Sequence, residues 1–293
     1  MSSTALTDWL KSWPIAVLPH HLLSGIVRVA TRWQTVWWKN LLIKWFIRHF
    51  RVDMTEAENP DPGHYPDFNS FFTRALLPAA RPLADQPQAI VSPIDGRISQ
   101  IGTIRDGRLL QAKGRDYSLD TLLGGNTERA RAFRDGSFAT LYLSPRDYHR
   151  IHMPSTGQLT ESVYIPGRLF SVAPHTTRAI PGLFTRNERL VTLFDTPSGP
   201  MALVMVGAIF VACMETVWDG VVQPAGPGIQ ARHYNTDPGS RIVLRLGDEM
   251  GRFNMGSTVI LLYGPGQVRW LDGLAADQSL RVGELIGHFQ SGP

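Results

Sequence analysis

The run Thr258-Val-Ile-Leu-Leu-Tyr263 limits the fold more than any other stretch of this chain. It has the length of a strand, is not interrupted by charge, and is rich in β-branched and aromatic side chains, which marks a strand buried on both faces. Phe138-Ala-Thr-Leu-Tyr-Leu143 and Met201-Ala-Leu-Val-Met-Val206 have the same character, and Arg241-Ile-Val-Leu-Arg-Leu246 alternates as a half-buried strand does. With 27 glycines and 21 prolines among 293 residues, turns are frequent and β structure is favoured. A chain of this length can bury a full core, and 43% apolar against 18% charged residues indicates a folded protein.

Residues 89–101 read as strand, tight turn, strand, with Asp95-Gly96 at the turn. Residues 282–289 resemble the closing hairpin of barrel-sandwich domains such as lipoyl carriers. Before residue 88 the texture differs. Residues 5–50 predict two or three helices, broken at Pro14, Pro19 and the Ser24-Gly25 pair. Residues 55–66 read as a linker, and 67–74 as a short helix that aspartate or asparagine caps. The expected class is α+β: a mainly antiparallel, barrel-sandwich-like β domain over 67–293, with an N-terminal helical, membrane-associating segment and linker over 1–66.

The membrane expectation comes from where the charge lies. The net charge is +4, yet residues 1–50 alone carry +5, from Lys11, Arg28, Arg32, Lys39, Lys44 and Arg48 against Asp8. The other 243 residues are close to neutral, which argues against nucleic acid as a partner. Six of the eight tryptophans (Trp9, Trp13, Trp33, Trp37, Trp38 and Trp45) share that basic segment, and Trp with Lys and Arg favours the headgroup layer of a bilayer. On a helical wheel the charges of residues 32–50 scatter, so the expectation rests on composition. No stretch is long and apolar enough to predict a transmembrane helix, and the first residues lack the basic start of a signal peptide. The one cysteine, Cys213, excludes an internal disulfide and fits a reducing compartment.

Three polar clusters interrupt the β texture. They are Asp95 in Ser92-Pro-Ile-Asp-Gly96, the pair His149 and His152 in Ser144-Pro-Arg-Asp-Tyr-His-Arg-Ile-His-Met-Pro154, and Gly256-Ser257-Thr258. Asp95 by itself reads as a turn residue. The two histidines can be buried and structural, or a zinc pair completed by His175 or Asp95. Together the clusters also supply an acid, a base and a hydroxyl, the parts of a nucleophilic triad. No Gly-x-Ser-x-Gly elbow surrounds Ser257, which argues against an α/β-hydrolase.

From Asp53 to Phe289 the sequence resembles the bacterial phosphatidylserine decarboxylases, which are made as proenzymes. The resemblance rests on Phe68-Asn-Ser-Phe-Phe-Thr-Arg74, Gln111-Ala-Lys-Gly114, the 144–154 block, Pro166-Gly-Arg-Leu-Phe-Ser-Val172, Arg186-Asn-Glu-Arg189, Glu249-Met-Gly-Arg-Phe253 and the Gly-Ser-Thr at 256–258. It departs at Met255, where the family usually has leucine, and at Ala212-Cys213, where many relatives have Gly-Ser.

The resemblance implies that Asp95, His152 and Ser257 form a self-processing triad. The chain would cut itself between Gly256 and Ser257 into 1–256 and 257–293, which stay together as a heterodimer. Ser257 would become a covalent pyruvoyl cofactor, and no metal would be needed. Phosphatidylserine would form a Schiff base with that group and leave as phosphatidylethanolamine plus CO2, with His149 positioning the carboxylate and returning a proton. The resemblance also implies a peripheral enzyme on the cytoplasmic face of the inner membrane, and a homodimer.

A pyridoxal enzyme would need a Schiff-base lysine instead. Only Lys11, Lys39, Lys44 and Lys113 exist, and three of them lie in the basic N-terminal segment. Two further readings stand beside the decarboxylase: a zinc hydrolase built on His149 and His152, and a non-catalytic membrane-binding module.

Overall fold

The structure is a computed structural model that describes residues 7–10, 12–13, 18–112, 114–209, 214–222, 226–234, 241–254 and 257–290. Pro14, Lys113, Cys213, Met255 and Gly256, all singled out above, lie outside the described residues. So does the break expected at Pro14.

Residues 7–10 and 12–13 are helical, and two longer helices follow: α1, His20–Thr31, and α2, Val36–Phe50. Pro19 stands at the N-cap of α1 as expected, but Ser24-Gly25 does not break it. A Cβ at Gly25 would meet nothing within 4 Å. The glycine therefore costs only its intrinsic propensity, about 1 kcal/mol against alanine, which the flanking helix formers tolerate. Three polar residues of α1 point inward: His20, Ser24 and Thr31 are buried while Leu22, Ile26 and Val29 are exposed. In α2 the buried face is Lys39, Ile43 and Phe46, and Trp37, Leu41 and Trp45 are exposed.

The segment read as a linker is packed. Lys39 Nζ donates to the carbonyls of Gly63 (2.9 Å) and Tyr65 (2.7 Å). Tyr65 joins Ile43, Phe46, Val52, Phe68, Phe71 and Phe72 in a small apolar core, so packing is continuous across residue 66. Each such side chain contributes about 1.5–3 kcal/mol on burial. The last three lie on or beside α3, Phe68–Phe72, which Asp67 caps by accepting from the Ser70 amide at 2.7 Å.

A nine-stranded sheet carries the main core. At its centre the strand Ser257–Tyr263 is buried at all seven positions. It pairs antiparallel with Ser137–Leu143 on one side and with Gly199–Val206 on the other. Arg189–Thr196 and Gly157–Ile165 extend the sheet beyond Gly199–Val206, and Gly96–Thr103 extends it beyond Ser137–Leu143. Smaller sheets hold Arg150–His152 against Glu249–Phe253, and Ala89–Val91 against Leu285–Phe289. The ladders joining these strands are antiparallel, and the described strands form no closed barrel.

The Asp95-Gly96 turn does not make a hairpin. Ala89–Val91 pairs with Leu285–Phe289, whereas Gly96–Thr103 pairs with Ser137–Leu143, so the turn carries the chain from one sheet to another. Glycine is required at 96 by close approach: a Cβ there would lie 2.3 Å from the Tyr142 carbonyl oxygen.

Candidate active site

Two connections cross between the same pair of sheets. One runs from Leu143 to Arg150, the other from Phe253 to Ser257. They are pinned at both ends, by the register pair Ser257 with Leu143 and by the Phe253 amide donating to the His149 carbonyl at 3.1 Å. His149 and Ser257 therefore belong to one junction although 108 residues separate them.

The sequence shapes this junction locally. Asp147 accepts from the amide and the hydroxyl of Ser144, both at 2.7 Å, which folds the Ser-Pro-Arg-Asp turn. That turn directs the Ser144 carbonyl to His149 Nε2 at 3.1 Å. The bond fixes the proton on Nε2 and leaves Nδ1 as a bare acceptor, and Nδ1 has no hydrogen-bond partner among the described residues. His149 is fully buried. Burial pushes its pKa down to about 3, with the nearby Arg74 charge adding to the effect, so the ring is neutral at pH 7.

Ser257 is also fully buried, and its Oγ has no hydrogen-bond partner among the described residues. A buried hydroxyl without a partner costs about 1–3 kcal/mol, and such groups concentrate where chemistry is done.

His152 spends both ring nitrogens. Nδ1 donates to the Gly247 carbonyl at 2.8 Å, and Nε2 accepts from the Tyr148 hydroxyl at 3.0 Å. Burial lowers its pKa, partly offset by that carbonyl and by the charges of Glu249 and Asp95. Burial raises the Tyr148 pKa to about 12, so its hydroxyl stays protonated. Asp95 lies close by, since Pro93 O accepts from the His152 amide at 2.8 Å. Its carboxylate is turned elsewhere. It takes a forked pair of bonds from Arg81 and a further one from the Val282 amide at 2.9 Å. Arg81 also bonds Glu56 at 2.8 Å. Burial works against the Arg81 charge, but the two carboxylates outweigh it and raise its pKa.

The fold thus brings Asp95, His149, His152 and Ser257 into one region, with the direct Asp95 to His152 hydrogen bond replaced by Gly247 O. The cut position Gly256 lies outside the described residues. Among the described residues, no group of three His, Cys, Asp or Glu side chains could hold a metal ion.

A family model described as phosphatidylserine decarboxylase matches residues 68–288, and a second, described as PSD, matches residues 10–51. The chain belongs to the phosphatidylserine decarboxylase family. The phosphatidylserine decarboxylase proenzyme of Ectopseudomonas mendocina (strain ymp) is 52% identical over 274 residues, covering 94% of this chain and 96% of the relative. That of Alkalilimnicola ehrlichii is 56% identical over 265 residues, covering 89% and 92%. That of Nitrosococcus oceani is 52% identical over 285 residues, covering 97% and 92%.

Sequence reasoning alone did not pick out Phe72, Arg74, Arg81 or Tyr148 as partners in this decarboxylase site. The signal was present for three of them, since Phe72 and Arg74 end the 68–74 block and Tyr148 lies in the 144–154 block. Arg81 lies in none of the blocks, and its role follows only from where its guanidinium lands.

Proposed function

We propose that this decarboxylase converts phosphatidylserine to phosphatidylethanolamine and CO2 with a pyruvoyl group that it makes from its own Ser257. The observation that carries the proposal is the sealed, unpartnered Ser257 hydroxyl at a junction that also holds a bare imidazole nitrogen. A hydroxyl that is consumed during maturation needs no lasting partner, so the site fits the group.

In this reading the Tyr148 hydroxyl turns away from His152 Nε2, which then takes the Ser257 proton, and Asp95 supports the charge that develops on the ring. Asp95 exerts this through space, because Gly247 O already fixes the tautomer. Ser257 Oγ attacks the Gly256 carbonyl, and the peptide bond becomes an ester. Elimination frees the Gly256 carboxylate, and water then releases ammonia from what remains of residue 257. The two fragments remain one heterodimer. The strand Ser257–Tyr263 keeps both neighbours, and Val282 of the small fragment stays bonded to Asp95 of the large one.

Once formed, the pyruvoyl carbonyl supplies the electron sink for the pair left as CO2 departs. His149 Nδ1 takes a proton from the substrate ammonium, holds the serine carboxylate as an imidazolium, and hands that proton to the product carbon.

Membrane attachment through 1–66, as a unit beside the catalytic 67–293, is part of the same proposal. No helix among the described residues is long and apolar enough to cross a membrane. Leu22, Ile26 and Val29 on α1, with Trp37, Leu41 and Trp45 on α2, are exposed, and those of α1 lie opposite the buried polar His20, Ser24 and Thr31. This inverts the usual order and suits a lipid surface. Action at the cytoplasmic face and pairing of two copies complete the proposal.

The test is an intact-mass spectrum of the wild-type protein together with CO2 release from phosphatidylserine vesicles. Two species are expected, the smaller carrying a ketone in place of its amine. A single full-length species that still releases CO2 would overturn the reading.

A further inference from the structure

Arg74 ends the 68–74 block and is only 5% exposed. Its guanidinium forms no ion pair and no side-chain hydrogen bond among the described residues, and its buried Nε is without a partner. The guanidinium lies over the Phe71 ring, 5.5 Å from the centroid. An isolated buried cation is costly, and burial lowers its pKa accordingly. Two carboxylates whose charge acts on it are already committed. Asp95 is held by Arg81 and Val282, and Asp147 by Ser144.

Arg74 lines a cavity of about 310 Å³ that also touches Asp95. Six arginines and four carboxylates border this cavity, so positive charge is in excess. Arg81 and Arg281 are paired with Glu56, and Arg146 approaches Asp147 only to 3.8 Å. The cavity adjoins the junction described above. Phe72, two residues before Arg74, stacks on His149, and Arg150 Nε donates to the Thr73 carbonyl at 2.9 Å, fixing the chain between them.

We propose that this cavity is an oxyanion subsite in which Arg74, with Arg51 and Arg146 at its border, binds the phosphodiester of the phospholipid headgroup. The inference rests on the decarboxylase reading for the identity of the diester. The serine carboxylate is the other anion of that headgroup, and it is the wrong occupant. A buried guanidinium on the departing carboxylate would stabilise the ground state and oppose loss of CO2. The phosphodiester keeps its charge throughout the reaction, so a cation there binds substrate and transition state alike.

The experiment uses the full-length Ser257→Ala chain, which needs neither cutting nor turnover. Glycerophosphoserine, inorganic phosphate and free L-serine are titrated by calorimetry. Glycerophosphoserine is expected to bind, inorganic phosphate to compete with it, and free serine to leave it in place. Arg74→Gln is expected to weaken glycerophosphoserine about tenfold or more, and Arg74→Lys to restore part of the loss. In the processed enzyme Arg74→Gln should raise KM about tenfold and change kcat by about threefold or less. Unchanged affinity in Arg74→Gln, or displacement of glycerophosphoserine by free serine, would overturn the assignment. If Arg74→Gln fails to fold by circular dichroism, Arg74→Lys and Arg51→Gln decide, and full affinity in both overturns it. Absence of CO2 release by the wild type would count against the decarboxylase reading and leave these binding results standing.

Discussion

Phe72 lies nearly flat on His149, with ring centroids 4.0 Å apart and planes 23° from parallel. The contact joins the small apolar core that contains α2 to the junction that holds Ser257. Through it, burial of an aromatic helix face keeps a histidine dry and neutral.

Phe72→Ala should therefore act in two places. Removing a fully buried ring is expected to cost about 3–5 kcal/mol in stability. It should also let water reach His149 and raise its pKa from about 3 toward the ordinary imidazole value of 6.5. Imidazole NMR titration reads the second effect and thermal melts the first. Phe72→Leu should recover most of the stability. An unchanged His149 titration in Phe72→Ala would remove the shielding role.

The same burial fixes a pH dependence. The folded pKa of His149 lies below its unfolded value, so the unfolded chain binds more protons between the two. The stability gained from the neutral ring is complete above about pH 6.5 and declines as pH falls toward about 3. Urea melts at pH 7 and pH 5 should show the loss, and His149→Gln should flatten that part of the profile.

Ser257→Ala is expected to yield one uncut chain with no decarboxylase activity. A denaturing gel is sufficient. Two fragments from that variant would place the cut elsewhere.

Asp95→Ala and His152→Ala are both expected to stop maturation, whereas His149→Ala should mature and then turn over slowly. Arg81→Gln leaves Asp95 and Glu56 as unpaired, partly buried carboxylates, so it should cost about 3–5 kcal/mol and slow cutting. Gel time courses after cell-free synthesis separate these outcomes. Cutting at the wild-type rate in Asp95→Ala would exclude Asp95 from the mechanism.

Replacing Trp37, Leu41 and Trp45 together by serine should release the protein from anionic vesicles in a flotation assay. Each lost side chain removes on the order of 1.5–3 kcal/mol of apolar burial. Processing should be unaffected, because these side chains point away from the core. Full flotation of the triple variant would place the lipid contact elsewhere.

The chain's own order determined a good deal of this. Unbroken apolar runs such as 258–263 can satisfy their side chains only inside a sheet, so the central strand was readable one residue at a time. Asp67 capping α3 was readable for the same reason, since a cap is a local hydrogen bond. The histidines and Ser257 stood out because polar residues in β-rich surroundings call for an explanation.

What the order could not supply were relations between distant segments. Asp95-Gly96 has the residues of a hairpin, yet its two flanking strands enter different sheets, because partners from 137–143 and 285–289 compete for them. Ser24-Gly25 has the residues of a break, yet α1 runs through it. The apolar stripe of α1 and α2 is spread over two helices and was invisible on one wheel. Whether Asp95 faces His152 or Arg81, and whether Arg74 finds a counter-charge, depends on side chains that meet only after the sheets have packed. Pattern along the chain sets which residues must be buried, but electrostatic partnership is a property of three-dimensional neighbours, and only the tertiary structure selects them.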